Sequence, residues 1–363
     1  MIMRRIIISH KSGSTCAAIL EGGELENFYS AQDDSPQLVG NIYKGRVQNF
    51  LPGMRAAFVD VGRDRNVFIQ TKEKLPVGQS VLIQIEKDEV GTKGARATLN
   101  ISLAGRVLVF LPTLNYIGVS NKIRGEERAR LHALAKKIRP KGAGIIVRTA
   151  AEGCDENILL ADLAELQSLW EKILERYKKR KPLSLLYSDN DLIEKILRDE
   201  FTADAELIVD NLKIYRRLEE LVPNVNFYDG SAQIFEAFGI AQEIANLDKR
   251  ELSLPSGGQI VIDKTEALTA IDVNTGKFTG RTNFAETILK TNLEAAQLIL
   301  KQLRLRNIGG IIIVDFIDMD LDAHKNALMN FLRERARRDR NKTKIIDMTP
   351  LNLVEITRQS FGR

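Results

Sequence analysis

Two short apolar segments, each carrying an aspartate, decide the fold of the C-terminal third: LTAIDVN at 268–274 and GGIIIVD at 309–315. Between them, apolar residues at helical spacing predict a helix from about Phe284 to Arg304. Its apolar stripe consists of Ile288, Leu289, Ala296, Leu300 and Leu303. A strand, a helix and a second strand in this order are typical of a βαβ unit, so an α/β fold is predicted here. A strongly basic helix is predicted to follow, from about Ala323 to Asp339.

Asp272 and Asp315 stand at the ends of these two apolar segments. The carboxyl ends of strands in α/β sheets line the usual site crevice, so the two side chains are expected to converge there. Neighbouring carboxylates repel each other, and magnesium, which prefers few carboxylates and several waters, would remove that repulsion. Asn274 lies two residues beyond Asp272 and would project from the same face of the strand. The alternative is that both acids merely terminate strands or cap helices.

The N-terminal part of the chain has the pattern of short β-strands separated by turns. Arg4–Ile8 and Thr15–Leu20 flank a polar turn that contains glycine, which predicts a hairpin. From Gly40 to about Leu103, β-rich runs alternate with turns that contain proline or glycine, and this cadence favours a small β-barrel. The predicted barrel runs are Ile42 to Phe50, Ala56 to Val61, Asn66 to Ile69 and Val81 to Glu86.

Bulk composition bounds the class of protein. With 363 residues, 44% of them hydrophobic, the chain is large enough for several packed domains. Lys and Arg outnumber Asp and Glu by 53 to 48, which permits a polyanionic partner without requiring one. The only cysteines, Cys16 and Cys154, form neither a disulfide framework nor a local zinc motif, so a reducing cytoplasm fits best. Neither a transmembrane segment, which needs about 20 apolar residues, nor a targeting segment is expected.

Several ordered motifs resemble the ribonuclease E/G family: TEALTAIDVN at 265–274, TNLEAA at 291–296, QLRLR at 302–306 and GGIIIVDFIDM at 309–319. Weaker signals extend the resemblance over nearly the whole chain. It implies an endoribonuclease of RNA processing and decay, which cuts A/U-rich single-stranded RNA. In that family the positions of Asp272 and Asp315 bind magnesium, for which Mn²⁺ is expected to substitute, and that of Asn274 helps orient the scissile phosphate and the metal ligand. Water attack would leave a 5′-phosphate and a 3′-hydroxyl.

The same resemblance implies a multidomain chain of mixed α/β and α+β class. Residues 1–37 and 190–248 are expected to form a ribonuclease H-like fold with a structural role. It would be interrupted by an S1 barrel of the OB class at 38–103 and by a 5′-sensor domain at 104–189. Residues 249–363 are expected to form a catalytic α/β domain that resembles deoxyribonuclease I. Asp318 is expected to be structural or to support the metal site from outside its ligand set.

The S1-like segment contains NIYKGRV at 41–47 and AFVDVG at 57–62. Phe58, Phe68 and Lys93 match the RNA-contacting positions of the family. OB-class barrels hold single strands by stacking bases on exposed aromatic rings and by placing cations along the backbone. The alternative for either phenylalanine is a place in the core of the barrel.

Gly105, Val109, Arg148 and Thr149 match the pocket that recognises a 5′-monophosphate in this family. An arginine fork can make bidentate hydrogen bonds to phosphate, a hydroxyl can add another, and glycine permits close approach of the backbone. Without the resemblance, Arg148 would be taken for a residue of a surface ion pair.

Assembly and activity leave alternatives open. Members of the family commonly carry a Cys-Pro-x-Cys zinc link, whereas this chain stops at Arg363 without these cysteines, so no zinc is expected. A homo-oligomer is expected, with a dimer favoured over a zinc-linked tetramer. Besides the endoribonuclease, two other functions remain open: a non-catalytic RNA-binding regulator that uses the S1 barrel, and a magnesium-dependent nuclease that acts on DNA.

Overall fold

The computed structural model of the protein describes residues 3–32, 38–89, 94–202, 204–275 and 284–360. The chain divides into two compact units, one of residues 1–35 and 201–361 and the other of residues 36–200. Four β-sheets with flanking helices account for the mixed α/β fold of the described residues. No helix within these ranges is long and apolar enough to cross a membrane.

The N-terminal strands belong to a five-stranded sheet of the first unit, in the order β15-β14-β1-β2-β3. The strands are β1 Arg4–Lys11, β2 Ser14–Glu21, β3 Glu24–Gln32, β14 Glu206–Val209 and β15 Val225–Phe227. Strands β1 and β2 form the predicted hairpin, and its turn residues Ser12 and Gly13 both have positive φ, as the type I′ hairpin turn requires. The same unit contains the helices α4 Leu212–Glu219, α5 Ile234–Ala237 and α6 Ala241–Ala245.

A closed five-stranded barrel occupies part of the second unit, as the cadence of strands and turns predicted. Its strands are β4 Ile42–Leu51, β5 Ala56–Asp60, β6 Val67–Gln70, β7 Ser80–Lys87 and β8 Arg96–Thr98. They pair in the order β4-β5-β6-β8-β7, and β7 returns to β4, which closes the barrel in a manner consistent with the OB class. Strand β13, Ser184–Tyr187, pairs with β4. This strand therefore belongs to the barrel sheet, although the sequence analysis assigned its residues to the expected 5′-sensor domain at 104–189.

The rest of the second unit is built on a four-stranded sheet, in the order β11-β12-β10-β9. The strands are β9 Leu103–Ala104, β10 Leu108–Leu111, β11 Ile117–Val119 and β12 Gly144–Val147. The helices of this unit are α1 Gly125–Ile138, α2 Glu156–Lys179 and α3 Leu192–Asp199. Residues of α1 and α2 share one hydrophobic core with the sheet, through Leu131 and Leu159 among others.

The C-terminal sheet has six strands, in the order β16-β17-β18-β19-β21-β20. They are β16 Glu251–Ser253, β17 Gln259–Lys264, β18 Leu268–Asn274, β19 Gly310–Asp315, β20 Thr343–Met348 and β21 Leu353–Arg358. Helices α7 Phe284–Leu305 and α8 Asp322–Ala336 pack on the sheet through an extensive apolar core. Strands β18 and β19 are parallel and are connected through α7, which confirms the predicted βαβ unit.

The basic helix ends at Ala336 and not at Asp339, where it was predicted to end. Beyond the end of the helix, Asp339 makes a contact that is distant in sequence: its Oδ2 accepts a hydrogen bond of 2.7 Å from Arg358 Nε at the end of β21. Both side chains are almost fully buried. Arg358 Nη1 also donates to the carbonyl of Ile308, 2.7 Å away. Burial would raise the pKa of Asp339, but Arg358 and the hydroxyl of Thr343 hold it below its usual value.

Because this ion pair is buried, removal of one partner leaves a desolvated charge in the core. We expect Arg358→Met to lower the free energy of unfolding by about 3–5 kcal/mol, measured by urea denaturation. Arg250 and Asp263 form an exposed pair whose nitrogen and oxygen atoms are 2.6 Å apart, and Arg250→Met is the matched control. If the two variants lose equal free energies of unfolding, burial does not determine how much the ion pair of Arg358 and Asp339 contributes to stability.

Candidate metal and RNA sites

Asp272 and Asp315 lie side by side at the carboxyl ends of two neighbouring strands. They are direct partners in the parallel register of β18 and β19, so their backbones are separated by one strand spacing of roughly 4.8 Å. In β18 the buried residues Ile271 and Val273 alternate with the exposed residues Asp272 and Asn274. Strand periodicity therefore turns both aspartates away from the core, and the expected convergence is observed.

The electrostatics of this pair are unfavourable in the protein alone. Partial burial raises the pKa of Asp315, and the negative charges of Asp272 and then Asp318 raise it further. A carboxylate whose neighbours are acids resists ionisation, whereas a cation between them would favour the ionised form. The two neighbouring acids thus add to the effect of desolvation, and such an excess of negative charge is the property expected of a metal-binding pair.

Asn274 acts directly on one member of the pair. Its Nδ2 donates a hydrogen bond of 2.7 Å to Oδ2 of Asp272, as two residues on the same face of a strand can do. The bond restricts the rotation of the carboxylate, and no residue that the structure describes donates a hydrogen bond to its Oδ1.

The segment that follows Asp315 is held by a buried polar side chain that the sequence analysis did not identify. Asn292 of α7 is fully buried; its Nδ2 donates to the carbonyl of Ile317 at 2.8 Å, and its Oδ1 accepts from the amide of Ile317 at 3.1 Å. It occupies a helical position between Ile288 and Ala296, where the apolar stripe would place a hydrophobic residue. An amide at such a position is the sequence signal that could have revealed it.

Asp318 is held by a second loop. Asn352 Nδ2 donates to Oδ1 of Asp318 at 3.0 Å, and Lys325 Nζ donates to Oδ1 of Asn352 at 3.0 Å. Asn352 has a positive φ of 61°, a conformation that asparagine tolerates better than most residues. These three side chains form a polar chain beside the aspartate pair.

The donor set fits magnesium better than zinc. Within the described ranges, no three His, Cys, Asp or Glu side chains are arranged to hold one metal ion. A cation at Asp272 and Asp315 would therefore have two carboxylates as protein ligands, with water or substrate oxygens in the remaining positions. Magnesium binds in this way, whereas structural zinc sites are closed by four protein ligands.

In the barrel, Phe58 and Phe68 form an edge-to-face pair on neighbouring strands. They are partners in the register of β5 and β6, and their ring centroids are 5.8 Å apart. Both rings are half-buried, whereas Val59, Val67 and Ile69 alternate with them and fill the core. The rings therefore lie on the outer face of the barrel, and the alternative of a core position does not hold. Lys93, the third residue expected here, lies outside the described residues.

The four expected sensor residues lie around the loop between β9 and β10. Gly105 begins this loop, and Val109 follows it, half-buried in β10. Arg148 and Thr149 follow the neighbouring strand β12, and the amide of Arg148 donates to the carbonyl of Val107 at 2.8 Å. The structure thus brings together residues separated by about forty positions in the sequence.

Asp162 of α2 gives a reason for glycine at position 105. Its carboxylate accepts hydrogen bonds from the amides of Arg106, Val107 and Leu108, at 3.0, 3.0 and 2.8 Å. A Cβ atom at Gly105 would lie 2.5 Å from both carboxylate oxygens. The close approach that requires glycine is therefore made by this carboxylate, an intramolecular contact with no signal in the local sequence.

The side chains of the loop region are already engaged. Arg148 Nη1 donates to the carbonyl of Gly105 at 2.5 Å, and Nη2 donates to Oδ1 of Asp199 at 2.6 Å. The ion pair expected for Arg148 without the resemblance is thus present. The hydroxyl oxygen of Thr149 lies 2.8 Å from that of Ser120, which sequence reasoning did not single out.

Comparison with known proteins gives one family. Residues 102–361 match the model of the ribonuclease E/G family. The ribonucleases G of Escherichia coli (strain K12) and Salmonella typhimurium (strain SL1344) are each 38% identical over 391 aligned residues, which cover 98% of this chain and 79% of the relative. Ribonuclease E of Nostoc sp. (strain PCC 7120) is 39% identical over 354 residues, 90% of this chain and 52% of the relative. With this coverage added to the paired aspartates, the chain belongs to the ribonuclease E/G family.

Proposed function

We propose that this endoribonuclease depends on magnesium and cuts A/U-rich single-stranded RNA into products with 5′-phosphate and 3′-hydroxyl ends. The observation that carries the proposal is the register of β18 and β19, which sets Asp272 beside Asp315 in a chain of the ribonuclease E/G family. The relatives are ribonucleases by name, and a pair of exposed acids at strand ends is suited to phosphodiester hydrolysis.

The protein's own residues supply binding and orientation. Asp272 and Asp315 would hold the ion through carboxylate oxygens, and Asn274 keeps the Asp272 carboxylate in one orientation. Two hydrogen bonds from Asn292 hold the backbone at Ile317, which restrains the segment next to Asp315. A bound magnesium ion would polarise the phosphoryl oxygen, activate water and offset the charge that develops during displacement. Mn²⁺ has similar ligand preferences and is expected to substitute.

For the barrel, we propose a role in holding single-stranded RNA. Half-exposed rings of Phe58 and Phe68 offer faces and edges for unpaired bases, and double-stranded regions cannot reach them in this way. For the loop region we propose 5′-monophosphate sensing by Arg148 and Thr149, with Gly105 and Val109 as parts of the same pocket. A homo-oligomer, with a dimer favoured, remains a prediction.

Removal of either metal-binding carboxylate should abolish cleavage. We expect Asp272→Asn and Asp315→Asn each to reduce the rate by at least about a hundredfold, since each loses charge opposite the ion. The assay is cleavage of a 5′-monophosphorylated A/U-rich RNA in magnesium, with analysis of product ends. Asp263→Asn, an exposed acid on the adjacent strand β17, is the matched control and should cut like wild type.

Three outcomes of this assay would contradict the proposal. If Asp272→Asn or Asp315→Asn cut RNA at the wild-type rate, the assignment of these two aspartates as metal ligands would be wrong. Tight RNA binding by wild type without products that depend on a metal would favour the RNA-binding regulator. Equal cleavage of the matching deoxyribose oligonucleotide would indicate a nuclease without selectivity for RNA.

The raised pKa of Asp315 predicts a change in stability as well. Its charged form is disfavoured in the folded protein, so near neutral pH the ionised carboxylate destabilises the metal-free fold, and this cost is absent below its ordinary pKa. In EDTA, Asp315→Asn should therefore melt at a higher temperature than wild type. Magnesium should raise the melting temperature of wild type and leave that of Asp315→Asn unchanged.

The control for this measurement is again Asp263→Asn. A hydrogen bond and the charge of Arg250 lower the pKa of Asp263, so its ionised form is favoured and its loss should not raise the melting temperature. If Asp315→Asn melts below wild type in EDTA, the ionised carboxylate of Asp315 does not destabilise the metal-free fold.

Because the two phenylalanine rings lie outside the barrel core, their removal should lower the affinity for RNA and leave the barrel folded. Phe58→Ala and Phe68→Ala should each weaken binding of an uncleavable single-stranded RNA by roughly 1–3 kcal/mol, measured by fluorescence anisotropy. Phe227→Ala removes another exposed ring, which lies on strand β15 of a different sheet and packs against Tyr215 of helix α4, and should leave the affinity unchanged. Unaltered binding by both barrel variants would show that these rings do not contact RNA.

A further inference from the structure

The guanidinium of Arg148 is held on one side, and some of its N–H donors remain unused within the described residues. An arginine has five N–H donors. Two of them bond to Gly105 and Asp199, and within the residues that the structure describes the group has no other acceptor. The side chain is 22% exposed, so the remaining donors can reach a ligand from solvent. A guanidinium fixed in this way needs little reordering to bind a phosphate.

Asp199, which fixes one edge of that guanidinium, is itself held from the other side. Arg198 donates to both of its carboxylate oxygens, from Nε at 3.3 Å and from Nη2 at 3.2 Å. Arg198 Nη1 also donates to Oδ1 of Asp189 at 3.1 Å. The carboxylate of Asp199 thus lies between two guanidinium groups. Because it also binds Arg148, its position determines where the Arg148 guanidinium lies.

The charge of Asp199 is maintained despite burial. Burial alone would raise its pKa, but the charge and hydrogen bonds of Arg198, followed by those of Arg148, lower it below the usual value. Asp199 is also the last residue of α3, where a negative charge opposes the helix dipole. The stability of the helix therefore gives no reason for an acid at this position, whereas the orientation of Arg148 does.

We infer that Asp199 is a positioning residue for 5′-phosphate recognition: it holds the Arg148 guanidinium so that its unused donors face the terminal phosphate of an RNA. The inference rests on the 5′-sensing part of the proposed function. Asp189 lies one link further along the same chain of ion pairs and does not touch Arg148. A purely structural network would respond to the loss of either acid, whereas positioning of Arg148 depends on Asp199.

The test compares 5′-monophosphate and 5′-hydroxyl forms of one uncleavable 2′-O-methyl oligonucleotide. Fluorescence anisotropy gives the ratio of the two affinities for each full-length variant, well below its own melting temperature. Asp199→Asn should reduce this ratio by roughly five- to tenfold, because a misplaced charge-assisted bond loses part of its strength. Asp189→Asn, the matched control, should keep the wild-type ratio.

Two further variants separate the possible failures. Arg148→Ala should abolish the preference; if wild type itself shows none, 5′-sensing is wrong and the inference falls with it. If Arg148→Ala abolishes the preference while Asp199→Asn keeps it, only the positioning role is overturned. The same holds if Asp189→Asn lowers the ratio as much as Asp199→Asn.

Arg198→Gln provides a second measurement should Asp199→Asn fail to fold. It releases the far side of the Asp199 carboxylate and leaves the bond to Arg148 available. We expect a reduced ratio, with a smaller loss than in Asp199→Asn. A wild-type ratio in every folded variant that alters Asp199 or Arg198 would overturn the inference.

Discussion

The parallel register between β18 and β19 is the constraint on which the candidate catalytic site depends. It makes Asp272 and Asp315 direct partners, although 42 residues of chain separate them. A slip of one residue would turn one aspartate toward the core and a hydrophobic residue toward solvent, so burial of the strands' apolar faces maintains the pairing. Helix α7 makes the crossover that a parallel pair requires, and its buried Asn292 holds the chain just beyond Asp315. The same element thus determines the strand order and secures one edge of the site.

Carboxylates in this protein fall into two electrostatic groups. Asp339 is buried and Asp199 is partly buried, but arginines bind both, and their pKa values are lowered. Asp315 is less buried and yet its pKa is raised, first by desolvation and then by the negative charges of Asp272 and Asp318. Asp339 and Asp199 have arginine counterions, whereas among the described residues only acids act on the charge of Asp315. Perturbed titration of this kind concentrates at functional sites, and here it coincides with the residues that the motifs indicated.

Local sequence patterns predicted the elements well where the interactions are local. The hairpin at Ser12–Gly13, the alternating strands of the barrel and the amphipathic helix α7 all follow from spacing and turn chemistry. The end of α8 was predicted at Asp339, but the helix ends at Ala336, and Asp339 lies beyond it in a buried ion pair with Arg358 that local spacing does not reveal. Gly105 is a related case: its glycine was attributed to phosphate, but the structure places the Asp162 carboxylate against it. Both contacts join residues that are far apart in the chain.

The sequence by itself determined the strand and helix types, the two acids at strand ends and the membership of a ribonuclease family, because hydrophobic period and ordered motifs are local properties. Only the tertiary structure decided that Asp272 and Asp315 are partners, that Phe58 and Phe68 lie outside the barrel core, and that Asp199 holds Arg148. The physical reason is that register, facing and ion pairing depend on which elements pack together. The burial of apolar surface throughout the fold determines which side chains become neighbours. The spacing of residues along the sequence does not show these neighbours.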